Sequence, residues 1–209
     1  MSYIRKSLLA LFCVILFSST QTWDSAPLAS SSNALYVSTT GSDSNPGTSS
    51  APFRTIVRAS QAATPGTTVY VQPGTYFGDV YVTAPGVTYK STVKWGAILV
   101  PATSSSSLTA FWNDHAANVT IDGFLVNGNG GANNGAWADG IYCDATNCTI
   151  KNNKVVNIAT QPPGSTYGNG GAGIYIDGWG GNTGGLALNN IVGNVGVTNP
   201  STCETELAG

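Results

Sequence analysis

Charge is what this 209-residue sequence has least of: charged residues make up 9% of it, and histidine and methionine each occur once. That scarcity argues against a surface of salt-bridged helices, and a formal net charge of −2 excludes the basic character that nucleic-acid binding requires. Nor does it create a field that would gather an anionic polymer, so an acidic ligand needs local neutralisation, most simply by a metal ion. The apolar stretch Ser7 to Phe17 is far too short to cross a bilayer. It follows Arg5 and Lys6 and gives way to the polar stretch Ser18 to Ala26, so residues 1–26 read as a secretory signal, with an N-terminal membrane anchor as the competing reading. Cys13 follows Phe12 rather than a small residue, which speaks against a lipoprotein anchor. The expectation is a secreted protein, extracellular or periplasmic, with no membrane contact after signal removal. Without residues 1–26, six Lys and Arg stand against nine acids, 6 − 9 = −3.

Cysteine is sparse too. Cys143, Cys148 and Cys203 remain after the signal. In an exported chain Cys143 and Cys148 either close a small loop, leaving Cys203 over, or stay as two buried thiols.

What the sequence does have is glycine, 26 of them, together with Asn, Ser and Thr. Gly and Asn take up positive φ cheaply, so this composition fits short strands joined by many turns. Residues 27–34 form a linker into a strand at Leu35-Tyr36-Val37, and a turn-rich stretch runs from Gly41 to Ser50. A single helix is predicted over Pro52–Ala63, with Phe53, Ile56, Val57 and Ser60 on one face, Arg54 and Arg58 on another, and Pro65-Gly66 as the stop. Strands are predicted at Thr68–Gln72, Asp79–Thr83, Val87–Lys90 and Ala97–Val100.

From residue 108 the chain repeats. Ala110-Phe111-Trp112-Asn113-Asp114 aligns with Gly140-Ile141-Tyr142-Cys143-Asp144 and with Gly173-Ile174-Tyr175-Ile176-Asp177, at spacings of 30 and 33 residues. A second strand follows each time, as Val119-Thr120-Ile121, Cys148-Thr149-Ile150 and Leu186-Ala187-Leu188, and then a third at Phe124-Leu125-Val126, Val155-Val156 and Ile191-Val192. Three short strands per repeat with no helix between them describe one coil of a solenoid. Successive coils then lie ~4.8 Å apart and equivalent residues stack in columns. The fold expected is all-β, a right-handed parallel β-helix of five to seven coils with a short N-terminal α-helix.

The run LYVSTTGSDSNPGTSSAPFRTIVRASQAATPGTTVYVQPGTY, Leu35 to Tyr76, resembles the start of pectate-lyase-like right-handed β-helix proteins and is similar to the N-terminal part of some polysaccharide lyases. The resemblance implies that the helix caps the first coil, with Phe53, Ile56 and Val57 as plugs. It assigns residues 35–66 to an N-terminal strand and capping helix, residues 67–198 to the coils and residues 199–209 to a tail. It also implies an activity, polysaccharide lyase chemistry on an acidic polymer such as pectate or alginate. That chemistry uses Lys or Arg with Ca²⁺, and no basic residue occupies the repeated first strands, so no lyase residue carries over. In such enzymes the active site lies in later coils. With no polar cap evident after Val197, the sequence reads either as a truncated product or as a chain whose open C-terminal end is covered by a partner.

Side-chain alternation turns Phe111, Ile141 and Ile174, and Asn113, Cys143 and Ile176, toward the core. Trp112, Tyr142 and Tyr175 then face outward beside Asp114, Asp144 and Asp177. Aromatic faces suit the C–H side of a pyranose and carboxylates accept from its hydroxyls, so these residues, with Trp179 in its glycine-rich turn, are candidates for polysaccharide binding. The same aromatics would equally serve as a ladder that only stabilises the sheet. Three stacked carboxylates either bind Ca²⁺ with Asp139 as a fourth ligand, leave one Asp protonated, or splay into water. Asp144, Asp177 and His115 are the weak candidates for catalysis, as paired carboxylates of a hydrolase or as a general acid–base. Non-catalytic carbohydrate binding is the alternative to lyase activity. Asn152, Asn153, Asn189 and Asn190 are read as satisfying backbone groups at tight turns.

Overall fold

A computed structural model describes residues 33–101, 109–128, 138–158 and 171–195, with the side chains of Ala138 and Trp179 outside that description. The signal over 1–26, most of the linker and of the loops at Gly128–Ala138 and Ala159–Ala172, Cys203 and the tail over 199–209 lie outside the described residues. Among the described residues no helix is long and apolar enough to cross a membrane.

Strand β1 (Ala34–Val37) and helix α1 (Ile56–Ala62) come first. Four complete coils follow: β2 (Thr68–Val71), β3 (Gly74–Phe77) and β4 (Val80–Tyr81); β5 (Thr88–Ser91), β6 (Ala97–Val100) and β7 (Phe111–Asn113); β8 (Thr120–Asp122), β9 (Leu125–Asn127) and β10 (Ala138–Cys143); β11 (Thr149–Lys151), β12 (Lys154–Ile158) and β13 (Gly171–Ile176). Strands β14 (Leu186–Leu188) and β15 (Ile191–Val195) begin a fifth, so that with β1 the longest sheet stacks six levels. Every pairing is parallel, in sheets of order β1-β2-β5-β8-β11-β14, β13-β10-β7-β4 and β15-β12-β9-β6-β3. This is a right-handed parallel β-helix.

The interior is filled by columns. Val69, Tyr89, Ile121 and Ile150 stack on one sheet, Tyr76, Leu99, Val126 and Val155 on the second, and Val80, Phe111 and Ile141 on the third, all nearly inaccessible to water. Phe111 meets Tyr89 and Phe124 at centroid distances of 5.5 and 5.2 Å, so rings from two sheets and from the turn after β8 interlock at the centre.

The helix is shorter than the sequence pattern implies. Pro52 and Phe53 remain extended, and Phe53 bridges Val37. The carboxylate of Asp43 accepts from the backbone N–H groups of Arg54 and Thr55, and the Thr55 hydroxyl then caps α1 by accepting from Arg58 N–H. The chain therefore turns into the helix only at Thr55. Phe53, Ile56 and Ser60 are buried as expected, and α1 packs on β1, β2 and β4.

Turns are closed by stacked asparagines. Asn118 and Asn147, Asn152 and Asn189, and Asn157 and Asn194 all have φ between 53° and 60°, and side-chain amides link Asn147 to Asn118, Asn157 to Asn127 and Asn194 to Asn157. Inside the second of these turns Asn153 is fully buried, accepts from Phe124 N–H and donates to Ile121 C=O, while Asn190 repeats the arrangement one coil on by donating to Ile150 C=O.

Two strand assignments need correction. Gly74–Phe77 is a strand that the sequence pattern does not reveal, because glycines on both sides leave too short a run. In the last repeat, Leu186 pairs with Thr149 and Leu188 with Lys151, one residue out of the expected alignment. By register the two leucines face outward, and Ala187 continues the inward column above Ile150, although all three residues of this last strand are exposed.

Small residues are required where sheets meet. A Cβ on Gly140 would run into the Val155 side chain and the Gly173 carbonyl. Gly140→Ala is expected to lower stability by about 1–3 kcal/mol, the usual cost of overpacking, measured by denaturant unfolding. A loss within error would mean that the two sheets can part freely at this corner.

Candidate functional site

The four-stranded sheet positions the outward aromatics. Its register sets Trp112 beside Tyr142 and Tyr142 beside Tyr175, as the 30- and 33-residue spacings imply. The rings stack as a ladder: Trp112 and Tyr142 lie 4.6 Å apart at 26°, and Tyr142 and Tyr175 lie 5.5 Å apart at 7°. Tyr81 of the preceding coil extends it, 6.4 Å from Trp112 and 54% exposed. Sequence reading missed Tyr81 because Val80-Tyr81-Val82 carries neither the glycine nor the aspartate of the later repeats. The ladder is half-buried by its own stacking and open on its outer side.

Asp114, Asp144 and Asp177 follow the aromatics in the stacked backbone, with Asp144 N–H donating to Asn113 C=O and Asp177 N–H to Cys143 C=O. Each carboxylate finds its own partner. Asp114 lies 3.2 Å from His115, whose side chain is 87% exposed. Asp144 is buried and accepts from the Asn182 side chain at 2.8 Å. The Tyr175 hydroxyl points to Asp177 at 3.5 Å, a long contact. Asp139 falls on the inward-facing alternation of β10, buried, and accepts from Ala172 N–H, so it does not join the column. Among the described residues no three His, Cys, Asp or Glu side chains gather closely enough to hold a metal ion.

The hydroxyl of Tyr142 is pushed up to about 12, first by burial and then by the negative charges of Asp144, Asp114 and Asp177. Those charges therefore converge on the middle of the ladder, and Tyr142 stays a protonated hydrogen-bond donor well beyond neutral pH. Directly beneath, Cys143 and Cys148 form a disulfide that closes the turn carrying Asp144, resolving the two readings of these cysteines. Asn113 braces the equivalent turn one coil earlier, donating to Ala116 C=O and accepting from Ala116 N–H. Both devices fix where the strand ends and hence where the aspartates emerge.

No lysine or arginine lies on the four-stranded sheet among the described residues. The Trp179 side chain lies outside the described residues, although its backbone forms a short 3-10 turn over Trp179–Gly181.

Residues 39–87 match a family described as a protein of unknown function, DUF1565. The uncharacterized protein YwoF of Bacillus subtilis (strain 168) is 32% identical over 151 residues, covering 66% of this chain and 32% of that protein. A solved structure described as a rhamnogalacturonan lyase is similar at 18% identity and a TM-score of 0.43, over 79% of this chain and 60% of that one. The matched region thus spans about a third of the Bacillus relative. Its all-parallel sheets and stacked coils make the chain a right-handed parallel β-helix, whose N-terminal residues 39–87 are similar to the DUF1565 family.

Proposed function

We propose that the aromatic ladder of Tyr81, Trp112, Tyr142 and Tyr175 is a binding track for a polysaccharide, and that the protein acts by binding rather than by cleaving. The observation that carries this reading is a four-ring, outward-facing row with a carboxylate beside three of its rings. Ring faces receive the C–H side of successive sugars, while Asp114, Asp177 and the Tyr142 hydroxyl exchange hydrogen bonds with sugar hydroxyls. Lyase chemistry would need a base and a cation beside a uronate, and the sheet offers neither Lys nor Arg among the described residues. An uncharged glycan suits the negative track directly. A uronate polymer would need Ca²⁺ between its carboxylates and Asp114 or Asp177, so calcium serves the track only as a bridge to such a ligand. A secreted location fits the Ser7–Phe17 segment and the Cys143–Cys148 disulfide, since disulfides persist in oxidising compartments.

The test is retention on immobilised neutral and uronate glycans, with and without Ca²⁺. Trp112→Ala and Tyr142→Ala are each expected to weaken retention on the neutral glycans roughly tenfold, on the scale of one aromatic contact. Tyr70→Ala, which removes a ring stacked on Tyr36 on another sheet, is the control expected to change nothing. Equal retention of all three variants and the parent would end the proposal, and release of unsaturated oligosaccharides would replace binding with lyase activity.

A further inference from the structure

A second surface, away from the ladder, collects the opposite charge. Lys90, Lys94, Lys151 and Lys154 are the lysines of the described residues, and all four lie at or beside the corner between the six-stranded and five-stranded sheets. Lys90, Asp122 and Lys151 occupy one outward column on successive coils, with Lys151 Nζ 3.9 Å from Asp122. Asp122 is the one carboxylate of that column, so four cations stand against one anion in a chain whose net charge is negative.

Trp95 lies at the centre of this surface. Two residues join the two sheets in the other coils, at 72–73, 123–124, 152–153 and 189–190, whereas residues 92–96 do so in the second. The longer turn lays Trp95 along the corner of the following coils. Its backbone N–H donates to Gly123 C=O at 2.6 Å and its indole N–H to Asn152 C=O at 2.8 Å, two coils on. Trp95 has φ 62°, a conformation that a bulky side chain rarely adopts and that the neighbouring turns give to Gly123, Asn152 and Asn189. The ammonium groups of Lys94 and Lys154 stand 4.7 and 5.8 Å from the centre of its ring. A strained backbone thus holds a partly exposed indole between two cations.

We infer that this corner is a second binding site, for an acidic polysaccharide. A uronate sugar has the two features the corner addresses, an apolar C–H face for the indole and a carboxylate at its rim for the ammonium groups. It would exchange the lysine–indole contacts for its own. Lys90 and Lys151, two coils apart (~9.6 Å), extend the charge along the solenoid axis, as a linear polymer with a charge on each sugar requires. Duplex nucleic acid buries its flat faces and presents phosphates, which arginine forks recognise best, and the corner has no arginine. This site does not depend on the ladder being a glycan track.

The experiment measures binding of polygalacturonate, dextran and duplex DNA to the full chain by calorimetry. Polygalacturonate is expected to bind without Ca²⁺, to weaken at least tenfold in the Lys94→Gln/Lys154→Gln variant, and to weaken as salt rises from about 50 to about 300 mM. The thermal midpoint of that variant is expected to stay at the parent value, because both ammonium groups are outside the core. Trp112→Ala is expected to leave polygalacturonate binding unchanged, and the lysine variant to leave neutral-glycan retention on the ladder unchanged. Undiminished polygalacturonate binding by the lysine variant would overturn the inference, as would equal loss in Trp112→Ala. DNA bound as tightly as polygalacturonate would reduce the corner to a general polyanion surface and overturn the assignment to a glycan.

Discussion

Replacing Asn153 with alanine is expected to destabilise the protein by about 4 kcal/mol, out of a total that for a domain of this kind is about 5–15 kcal/mol. Asn153 is fully buried, and its amide is shared among three groups: Oδ1 accepts from Phe124 N–H, and Nδ2 donates to Ile121 C=O and to Asn190 Oδ1. Phe124 and Ile121 are themselves inaccessible to water, so alanine would strand the Phe124 N–H, at about 1–3 kcal/mol, and take one hydrogen bond each from Ile121 C=O and Asn190, at about 1 kcal/mol apiece. The two-residue turn cannot supply substitutes, because Asn152 is committed to φ 58° and its N–H to Leu188 C=O. At this chain length the loss corresponds to a fall in melting temperature of roughly 8–16 °C. Asn190→Ala, at a partly exposed position, should cost less, since only Ile150 C=O and the link to Asn153 are lost. Denaturant unfolding of both variants decides the matter; a loss below about 1 kcal/mol for Asn153→Ala would mean that water replaces the amide inside the turn.

The columns were legible because strand alternation and coil stacking act together. Once Phe111, Ile141 and Ile174 are turned inward, Trp112, Tyr142 and Tyr175 must face out, and the observed register joins them residue for residue. The asparagine turns were legible for a related reason, as Asn is the non-glycine residue that enters the left-handed region most readily. What failed was reasoning from hydrophobicity alone. Leu186 and Leu188 look like a core pair, yet stacking Asn189-Asn190 on Asn152-Asn153 forces Leu188 to lie beside Lys151, facing out. The asparagines, not the leucines, held the register. Asp139 misled for a similar reason, since composition places it near Asp144 while alternation sends it to the opposite face. The lysine corner was visible only in part. The sequence separates Lys94-Trp95 from Lys151 and Lys154 by two coils, and only the fold of residues 92–96 brings the indole across that distance.

Alkaline pH is expected to unfold this protein between about pH 10 and 12, the interval between the tyrosine value of an unfolded chain and that of the folded one. Burial raises the hydroxyls of Tyr76, Tyr89 and Tyr142 to about 12. The folded state therefore holds these protons more tightly than the unfolded state. Their stabilisation is complete below pH 10 and is lost as pH rises through the folded value. For Tyr89, fully buried, a displacement of two units is worth on the order of 3 kcal/mol, while Tyr76 contributes less because its hydroxyl, bonded to Gln72 C=O, lies nearer the solvent. That is a substantial share of the stability of an average domain, about 5–15 kcal/mol. Tyr142 adds less, because solvent and salt screen the aspartates around it. Tyr89 is the group to probe, since its hydroxyl is hydrogen-bonded to Ser60 beneath the helix and cannot ionise without lifting α1 from the first coil. In the parent, tyrosinate absorbance and loss of β-structure should rise together, as one transition. Tyr89→Phe should be slightly less stable at neutral pH yet lose stability more gradually above pH 10. Tyrosinate appearing in full while the β-sheet signal persists would mean that the interior admits charge, and that these rings are not what ties the coils to their helical cap.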